Sequence, residues 1–229
     1  MSGEFKNFVI ISASPRVGED STSDSIASLG EGILKSDTTN ITRINVRKSI
    51  SKKQTQADYT AMLGADALII IFPLYFFCLP GLLIRFLQDY DEYYRQHKGD
   101  GVCSRVYTVI NCGFPEADIN KEALRVIKSF SRKTGNMFRF GLLLGGGGML
   151  HDAKESPFMR KTMAAINNAF ARISEDTITC GEEPLDDIYA SLNFPRRLYF
   201  FIADRGWLSS AKKNGLSKKD LYRKPYREA

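Results

Sequence analysis

An uncharged stretch of 18 residues, 67–84, constrains the fold of this chain more than any other feature. A stretch of that length without charges is long enough to span a membrane as a helix. However, Pro73 and Pro80 lie inside it, and an interior proline costs a helix about 3 kcal/mol. We therefore interpret the stretch as a buried strand (66–72), a turn (73–80) and the start of a helix, and we expect no membrane association.

Apolar, strand-like runs recur along the chain at 6–12, 41–46, 66–72, 104–111 and 138–144. Between them, apolar residues spaced three or four positions apart predict helices, most clearly at 83–94, 119–132 and 159–173 and more weakly at 52–64. This alternation is typical of an α/β protein with a parallel sheet covered by helices on both faces. We expect a doubly wound, five-stranded sheet whose ligands bind beyond the carboxyl ends of the strands.

The chain of 229 residues is most simply one domain, 1–229, with a core at about 6–174 and a C-terminal helical extension at about 180–229. The net charge of +6 comes from residues 205–229, which carry eight Lys or Arg and two acidic residues. Such a tail can bind nucleic acid, but we favour a solvated, partly helical extension. If the extension packs on the core, its apolar residues should be buried: Leu198, Tyr199, Phe200, Phe201 and Trp207.

The cysteines and histidines indicate the cellular compartment of the protein and whether it holds a metal site. The four cysteines show no CxxC spacing, and the N-terminus has no apolar signal segment. We therefore expect reduced thiols in a cytoplasmic protein. With two histidines there is no zinc-ligand pattern, and we expect no metal site.

The loop after the first predicted strand, 12–23, is rich in hydrogen-bond donors. Its hydroxyls and its arginine are Ser12, Ser14, Arg16, Ser21, Thr22 and Ser23. Backbone N–H groups at such a strand-to-helix junction attract anions. The loop has neither GxxxxGK[ST] nor GxGxxG, which excludes a triphosphate P-loop and a dinucleotide fingerprint. A terminal monophosphate fits better than an N-cap alone, because a cap uses only one or two hydroxyls.

Three segments, in order, resemble the flavodoxin-like NAD(P)H-dependent FMN reductases, including a bacterial branch of NAD(P)H-dependent oxidoreductases. They are Ser14-Pro15-Arg16 with Ser21-Thr22-Ser23, Phe72-Pro73-Leu74-Tyr75 with Leu79-Pro80-Gly81, and Asn111-Cys112-Gly113-Phe114-Pro115-Glu116. The resemblance runs from about residue 6 to 174. Two residues depart from the family pattern: Ala13 stands where glycine is usual, and Asp20 where asparagine is common.

The resemblance implies an FMN-dependent oxidoreductase that takes hydride from NADH or NADPH and reduces a quinone, flavin or other small acceptor, as a homodimer. It implies cofactor contacts from Ser14, Arg16, Ser21, Thr22, Ser23, Pro73, Leu74, Tyr75, Phe76, Asn111, Cys112 and Gly113. No catalytic side chain is expected, because the flavin performs the redox step. The alternative is a flavodoxin-type electron carrier without turnover of its own. Neither the choice between NADH and NADPH nor the acceptor follows from the sequence.

Two further features leave alternatives open. Gly145 to Gly148 follow the fifth strand, and each glycine costs about 0.5–1 kcal/mol relative to alanine. The run permits close backbone approach to a ring, a substrate or another subunit, while a flexible tip explains it equally well. His151 and Asp152 just beyond could contact a ligand.

Phe77 suits either the flavin ring or the core, whereas Cys112 is expected to pack rather than to react.

Overall fold

The computed structural model of the protein describes residues 5–16, 21–97, 102–152 and 155–224, without the side chains of His151 and Asp152. The chain divides into two compact units, Met1–Leu192 and Asn193–Ala229. The sheet and the helices around it belong to the first unit. The single domain with an extension from about residue 180 stays a prediction.

A parallel sheet forms the centre of the first unit. Its strands are β1 (Lys6–Ser12), β2 (Thr39–Asn45), β3 (Ala67–Pro73), β4 (Arg105–Asn111), β5 (Met137–Leu144) and β6 (Ile188–Ala190). The strand order is β2-β1-β3-β4-β5-β6, with every neighbouring pair parallel. The α/β class and the five predicted strands are confirmed. The order reverses between β1 and β3, which is where doubly wound sheets bind ligands.

The predicted number of strands is wrong by one, because β6 was not foreseen. It pairs with Leu142–Leu144 at the edge of the sheet and has only three residues. Its middle residue, Tyr189, is exposed, and the residues on either side are half-buried. A run this short shows no detectable periodicity.

Helices cover both faces of the sheet. They are α1 (Thr22–Leu34), α2 (Val46–Ser51), α3 (Thr55–Leu63), α4 (Gly81–Gln96), α5 (Lys121–Lys133), α6 (Met149–Asp152) and α7 (Arg160–Thr179), with 3-10 turns at Ala117–Asn120 and Pro157–Met159. The predicted helices are confirmed. The helix expected at 52–64 is α3; the separate helix α2 precedes it, with Lys53 between them at a left-handed φ of 56°.

Strand β3 accounts for the first part of the uncharged stretch 67–84. It lies between β1 and β4, and Ala67 to Phe72 are all fully buried. A parallel strand covered on both faces needs apolar side chains at every position. The predicted helix start is confirmed, since α4 begins at Gly81 directly after Pro80. Within the described ranges, every helix is too short or too polar to cross a bilayer.

A buried ion-pair network lies near the amino ends of β4 and β5. Asp176 of α7 accepts hydrogen bonds from Arg139 at 2.7 and 2.8 Å and from the Tyr107 hydroxyl at 2.5 Å. Arg105 Nη1 lies 3.3 Å from the same carboxylate. The Arg139 and Asp176 side chains are only 4% and 6% exposed. Burial raises the pKa of Asp176, but the hydrogen bonds from Arg139 and Tyr107 outweigh it, so the pKa lies below its ordinary value.

The second unit contains α8 (Arg196–Lys213) and a 3-10 turn, Lys218–Tyr222. The segment is therefore partly helical, as predicted for the basic tail. In this unit Trp207 is 73% exposed, Leu198, Phe200 and Phe201 are also exposed, and Tyr199 is half-buried. Their burial against the core stays a prediction. Consecutive residues of a helix are about 100° apart, so the side chains of residues 198–202 point in all directions around the axis of α8. No single helix face can therefore bury all of them.

Candidate functional site

A cleft of about 560 Å³ lies where the loops after β1, β3 and β4 meet. It is lined by Ser14, Pro15, Arg16, Ser21, Thr22, Ser23, Pro73, Tyr75 and Asn111. All of these except Pro15 were predicted as cofactor-binding residues. Four other predicted residues, Leu74, Phe76, Cys112 and Gly113, belong to the same loops without lining this cleft.

Two hydroxyls of the β1 loop are already used inside the protein. Ser12 and Ser21 donate to the Asp24 carboxylate at 2.7 and 2.8 Å. Ser21 is also the N-cap of α1, since its oxygen accepts the backbone N–H of Asp24 at 3.1 Å. The capping explanation therefore accounts for Ser21.

The other hydroxyls of the loop are differently placed. Ser14 Oγ accepts the backbone N–H of Arg16, and Ser23 Oγ accepts from Asn111 Nδ2, both at 3.3 Å. Each keeps its own O–H, for which the described part of the chain provides no acceptor. Thr22 donates to the Gly147 carbonyl at 3.2 Å. Ser14, Ser23, Arg16 and the first N–H groups of α1 thus form a donor set on the cleft.

The two departures from the family pattern have different outcomes. Ala13 is fully buried, and its N–H donates to the Ile71 carbonyl at 2.9 Å. It is not among the residues with positive φ, so alanine fits there without backbone strain. Asp20 lies outside the described residues.

Asp24 is the residue of this region that sequence reasoning missed. Besides the two serines, it accepts from Asn45 Nδ2 at 3.1 Å, and Arg43 Nη2 lies 4.0 Å away. Burial raises the pKa of Asp24, but these hydrogen bonds outweigh it and leave the pKa below its ordinary value. Asp24 lines a separate cleft beside β2 and does not line the cleft between the loops after β1, β3 and β4, here named the loop cleft. An acid three residues after a capping serine is the sequence signal that could have identified it.

A tight hairpin turn projects aromatic side chains beside the cleft. Tyr75 and Cys78 exchange two N–H···O bonds of 2.9 Å, and Phe76 and Phe77 between them have φ of 47° and 60°. Phe76 is 98% exposed, and Phe77 is exposed and stacks on Phe114 with ring centroids 6.4 Å apart. Phe77 is therefore not a core residue.

Backbone groups of two residues predicted to contact a cofactor, Leu74 and Cys112, hold the loops together. The N–H of Leu74 donates to the Asn111 carbonyl at 2.8 Å. The N–H of Cys112 donates to Leu144 at 3.0 Å, and its carbonyl accepts from Gly147 at 2.7 Å. In the loop after β3, the N–H groups that keep no partner among the described residues are those of Phe76, Phe77 and Leu79.

Asn111, the last residue of β4, fixes the geometry of the cleft. Its Nδ2 donates to the Phe72 carbonyl at 3.1 Å as well as to Ser23 at 3.3 Å. One buried side chain thereby connects β4 to β3 and to the start of α1.

Cys112 packs, as predicted. Its side chain is buried, and its thiol donates to the carbonyls of Phe114 and Glu116 at 3.5 Å. Burial raises the pKa of this thiol, which keeps it protonated and unreactive. Through the described ranges, His, Cys, Asp and Glu side chains form no group of three or more that could hold a metal ion.

The glycine run makes close contact with the loop after β4 of the same chain, a partner that the sequence prediction did not include. A Cβ on Gly145 would lie 2.0 Å from the Pro115 carbonyl oxygen. Gly146 has a left-handed φ of 70° and donates to the Phe114 carbonyl at 2.6 Å. Glycine at these positions allows the two loops to touch.

Gly145→Ala is expected to destabilise the protein by about 2 kcal/mol, because the new methyl group meets backbone rather than a side chain that can move. Gly148→Ala is the matched control, since a Cβ there has nothing within 4 Å. Chemical denaturation of both variants measures the difference. Equal stabilities would contradict the close contact between the loops.

No protein-family model and no curated protein sequence matches the chain. Solved structures do match. An apo NADH:FMN oxidoreductase is 19% identical with a TM-score of 0.53, over 78% of this chain and 92% of that one. An azoreductase from Bacillus anthracis str. Sterne is 14% identical, with a TM-score of 0.54 over 75% of this chain and 100% of that one. An NADPH-quinone reductase from P. pentosaceus is 14% identical, with a TM-score of 0.53 over 74% of this chain and 98% of that one. The predicted flavodoxin-like fold is confirmed; identities this low establish the fold alone.

Proposed function

We propose that the protein is an FMN-dependent oxidoreductase that takes hydride from NADH or NADPH and reduces a small acceptor such as a quinone or a flavin. The observation that carries this proposal is the convergence of three loops on one cleft at the reversal of strand order. Such a position is the usual ligand site of a doubly wound sheet. Proteins of similar fold described as an NADH:FMN oxidoreductase, an azoreductase and an NADPH-quinone reductase add support.

The donor set on the cleft fits the phosphate of FMN. Arg16, Ser14 and Ser23 combine one positive charge with two hydroxyls, and the N-terminus of α1 adds backbone N–H groups. Hydrogen bonds to a charged group are worth about 1.5–3 kcal/mol each. The described residues that line the cleft include no carboxylate that would repel the phosphate.

When bound, the flavin accepts the hydride and supplies the redox chemistry. The residues of this chain bind and orient it: Arg16 and the hydroxyls hold the phosphate, while Tyr75 and Pro73 line the same cleft. The N–H groups of Phe76 and Phe77, which have no partner among the described residues, are donors that the loop after β3 offers to polar atoms of the ring. No side chain has to supply or remove a proton for hydride transfer itself.

Purification and steady-state kinetics test the proposal. The protein should retain a yellow cofactor that is released as FMN, and it should oxidise NADH or NADPH when an acceptor is present. Flavin retention without NAD(P)H oxidation would favour the electron-carrier alternative. Failure to bind flavin would contradict both functions. The acceptor, a homodimeric assembly and a cytoplasmic location stay predictions.

The turn between Tyr75 and Cys78 should lower the stability of the protein, because Phe76 and Phe77 have positive φ, and it should place their rings where they contact the flavin. Replacing Phe76-Phe77 by Asn-Gly should stabilise the protein by about 1–2 kcal/mol, because these residues adopt positive φ more readily. The same change should weaken FMN binding by removing the exposed rings. Denaturation and fluorescence titration measure the two effects, with the exposed Phe201→Asn as a control for loss of a surface aromatic. Unchanged FMN affinity would show that the turn does not contact the cofactor.

A further inference from the structure

A second cleft, of about 480 Å³, lies beside the carboxyl end of β2 and is here named the β2 cleft. Its lining is strongly basic, with five cationic side chains: Arg16, Arg43, Arg47, Lys48 and Lys52. Two carboxylates, Asp24 and Asp58, also line it. The cations outnumber the acids, so the β2 cleft is suited to an anion.

The charges in the β2 cleft are not equally committed. Arg43 is held by Ser28 at 2.8 Å and by Glu31 at 3.5 Å, and the Asp24 carboxylate is occupied by Ser12, Ser21 and Asn45. By contrast, Arg47, Lys48 and Lys52 form no ion pair with any described residue. Three cations are therefore available to a ligand, against the single carboxylate of Asp58.

Ser49 provides a second and independent sign of a ligand. It lines the β2 cleft and is only 3% exposed, yet its hydroxyl has no hydrogen-bond partner among the residues that the structure describes. Buried hydroxyls without a partner are rare, because the unmade hydrogen bond is costly. A serine hydroxyl can turn about its own side-chain bond to meet a ligand in the cleft. An anion bound among the cations would satisfy it.

We propose that the β2 cleft binds a phosphomonoester and that, in the oxidoreductase proposed above, this group is the 2′-phosphate of NADPH. Arg16 lines both the β2 cleft and the loop cleft proposed for FMN, so the two sites adjoin. The 2′-phosphate is the phosphomonoester that distinguishes NADPH from NADH, and it is largely dianionic at neutral pH. The inference rests on the proposed function and makes NADPH the preferred donor.

Binding of nucleotide fragments tests the site without turnover. Calorimetric titration should show adenosine 2′,5′-bisphosphate binding at least about 10-fold more tightly than 5′-AMP. Ser49→Ala and Arg47→Gln should each reduce that preference by about 10-fold, because each loses one hydrogen bond to a charged group. Ser51→Ala and Lys35→Gln are matched controls: both residues are exposed and lie outside the lining of the β2 cleft.

Ser49→Ala has a further signature. Because its hydroxyl has no partner within the described part of the chain, the ligand-free variant should melt at the same temperature as the unsubstituted protein or at a higher one. A lower melting temperature would show that the hydroxyl is bonded within the protein and would overturn the argument from Ser49. Equal affinity of the original protein for the bisphosphate and for 5′-AMP would overturn the site.

Kinetics separate this inference from the proposed function. The ratio of kcat/KM for NADPH to kcat/KM for NADH should exceed one and should fall about 10-fold in Arg47→Gln. Equal use of both donors would overturn only the donor assignment. Oxidation of neither donor would contradict the proposed function, and bisphosphate binding that still depends on Ser49 would then leave a phosphomonoester site with another ligand. Weakened FMN binding in Ser49→Ala would instead assign the β2 cleft to the flavin phosphate.

Discussion

Asp176→Ala is expected to destabilise the protein by about 3–5 kcal/mol, the usual cost of leaving one partner of a buried ion pair without its counter-charge. The loss leaves Arg139, whose side chain is 4% exposed, without its counter-charge, and it leaves Thr177 Oγ1, 3.1 Å away, as the remaining side-chain partner of the buried Tyr107 hydroxyl. Chemical denaturation of the variant measures the change. A loss below about 1 kcal/mol would mean that the network has the value of a surface pair.

Acid should reveal the same network. The pKa of Asp176 is lowered in the folded protein, so its contribution is present above the unfolded carboxyl value of about 3.9 and is lost as pH falls through the folded value. The stability difference between the original protein and Asp176→Ala should therefore narrow in strong acid. Asp118→Ala is the matched control: Asp118 pairs with Lys121 at 3.4 Å but is 69% exposed, and it should cost less than about 1 kcal/mol.

Arg16→Ala is expected to weaken FMN binding by about 10- to 100-fold, because one charge-assisted bond to the phosphate is lost. Riboflavin has the same ring without the phosphate, so its affinity should change little. Fluorescence quenching with both ligands measures the difference directly. An equal loss for FMN and riboflavin would contradict a phosphate site in the β1 loop.

Ser21→Ala should behave differently, since Ser21 caps α1 and donates to Asp24. Loss of an N-cap costs about 1 kcal/mol. The melting temperature should therefore fall by a similar amount with and without FMN. A fall in FMN affinity as large as that of Arg16→Ala would instead place the Ser21 hydroxyl on the phosphate.

The strands could be predicted from the sequence where the chain repeats a pattern over many residues. Strands β1, β3, β4 and β5 were found because buried parallel strands are largely apolar. The edge strand β2 is mostly exposed or half-buried and was found from the shorter apolar run 41–46, and β6 was missed because three residues carry no pattern. The burial of the apolar residues of α8 against the core stays a prediction. Composition shows that Leu198 and Trp207 are apolar, but it does not show which surface, if any, covers them.

The loops that form the candidate site could be predicted, but their internal bonding could not. Arg16 and Tyr75 were identified from motif and position, and both line the cleft. The N–H groups of Leu74 and Cys112 are already bonded to residues at the ends of neighbouring strands. These bonds depend on how two strands lie side by side, so the sequence of one loop cannot predict them. That the Ser49 hydroxyl has no partner among the described residues could not be predicted from the sequence either, because it depends on which residues surround it in space.

The strand order also bears on how this chain is synthesised. β1 lies between β2 and β3, and Phe8 pairs with Ala67. At a translation rate of about 5–20 residues per second, Ala67 follows Phe8 by about 3–12 s. During that interval the apolar strand from Phe8 to Ile11 has an open edge, which can pair with another nascent chain unless it is shielded. We expect slower translation between β1 and β3 to lower the yield of folded protein and a chaperone that binds apolar segments to restore it.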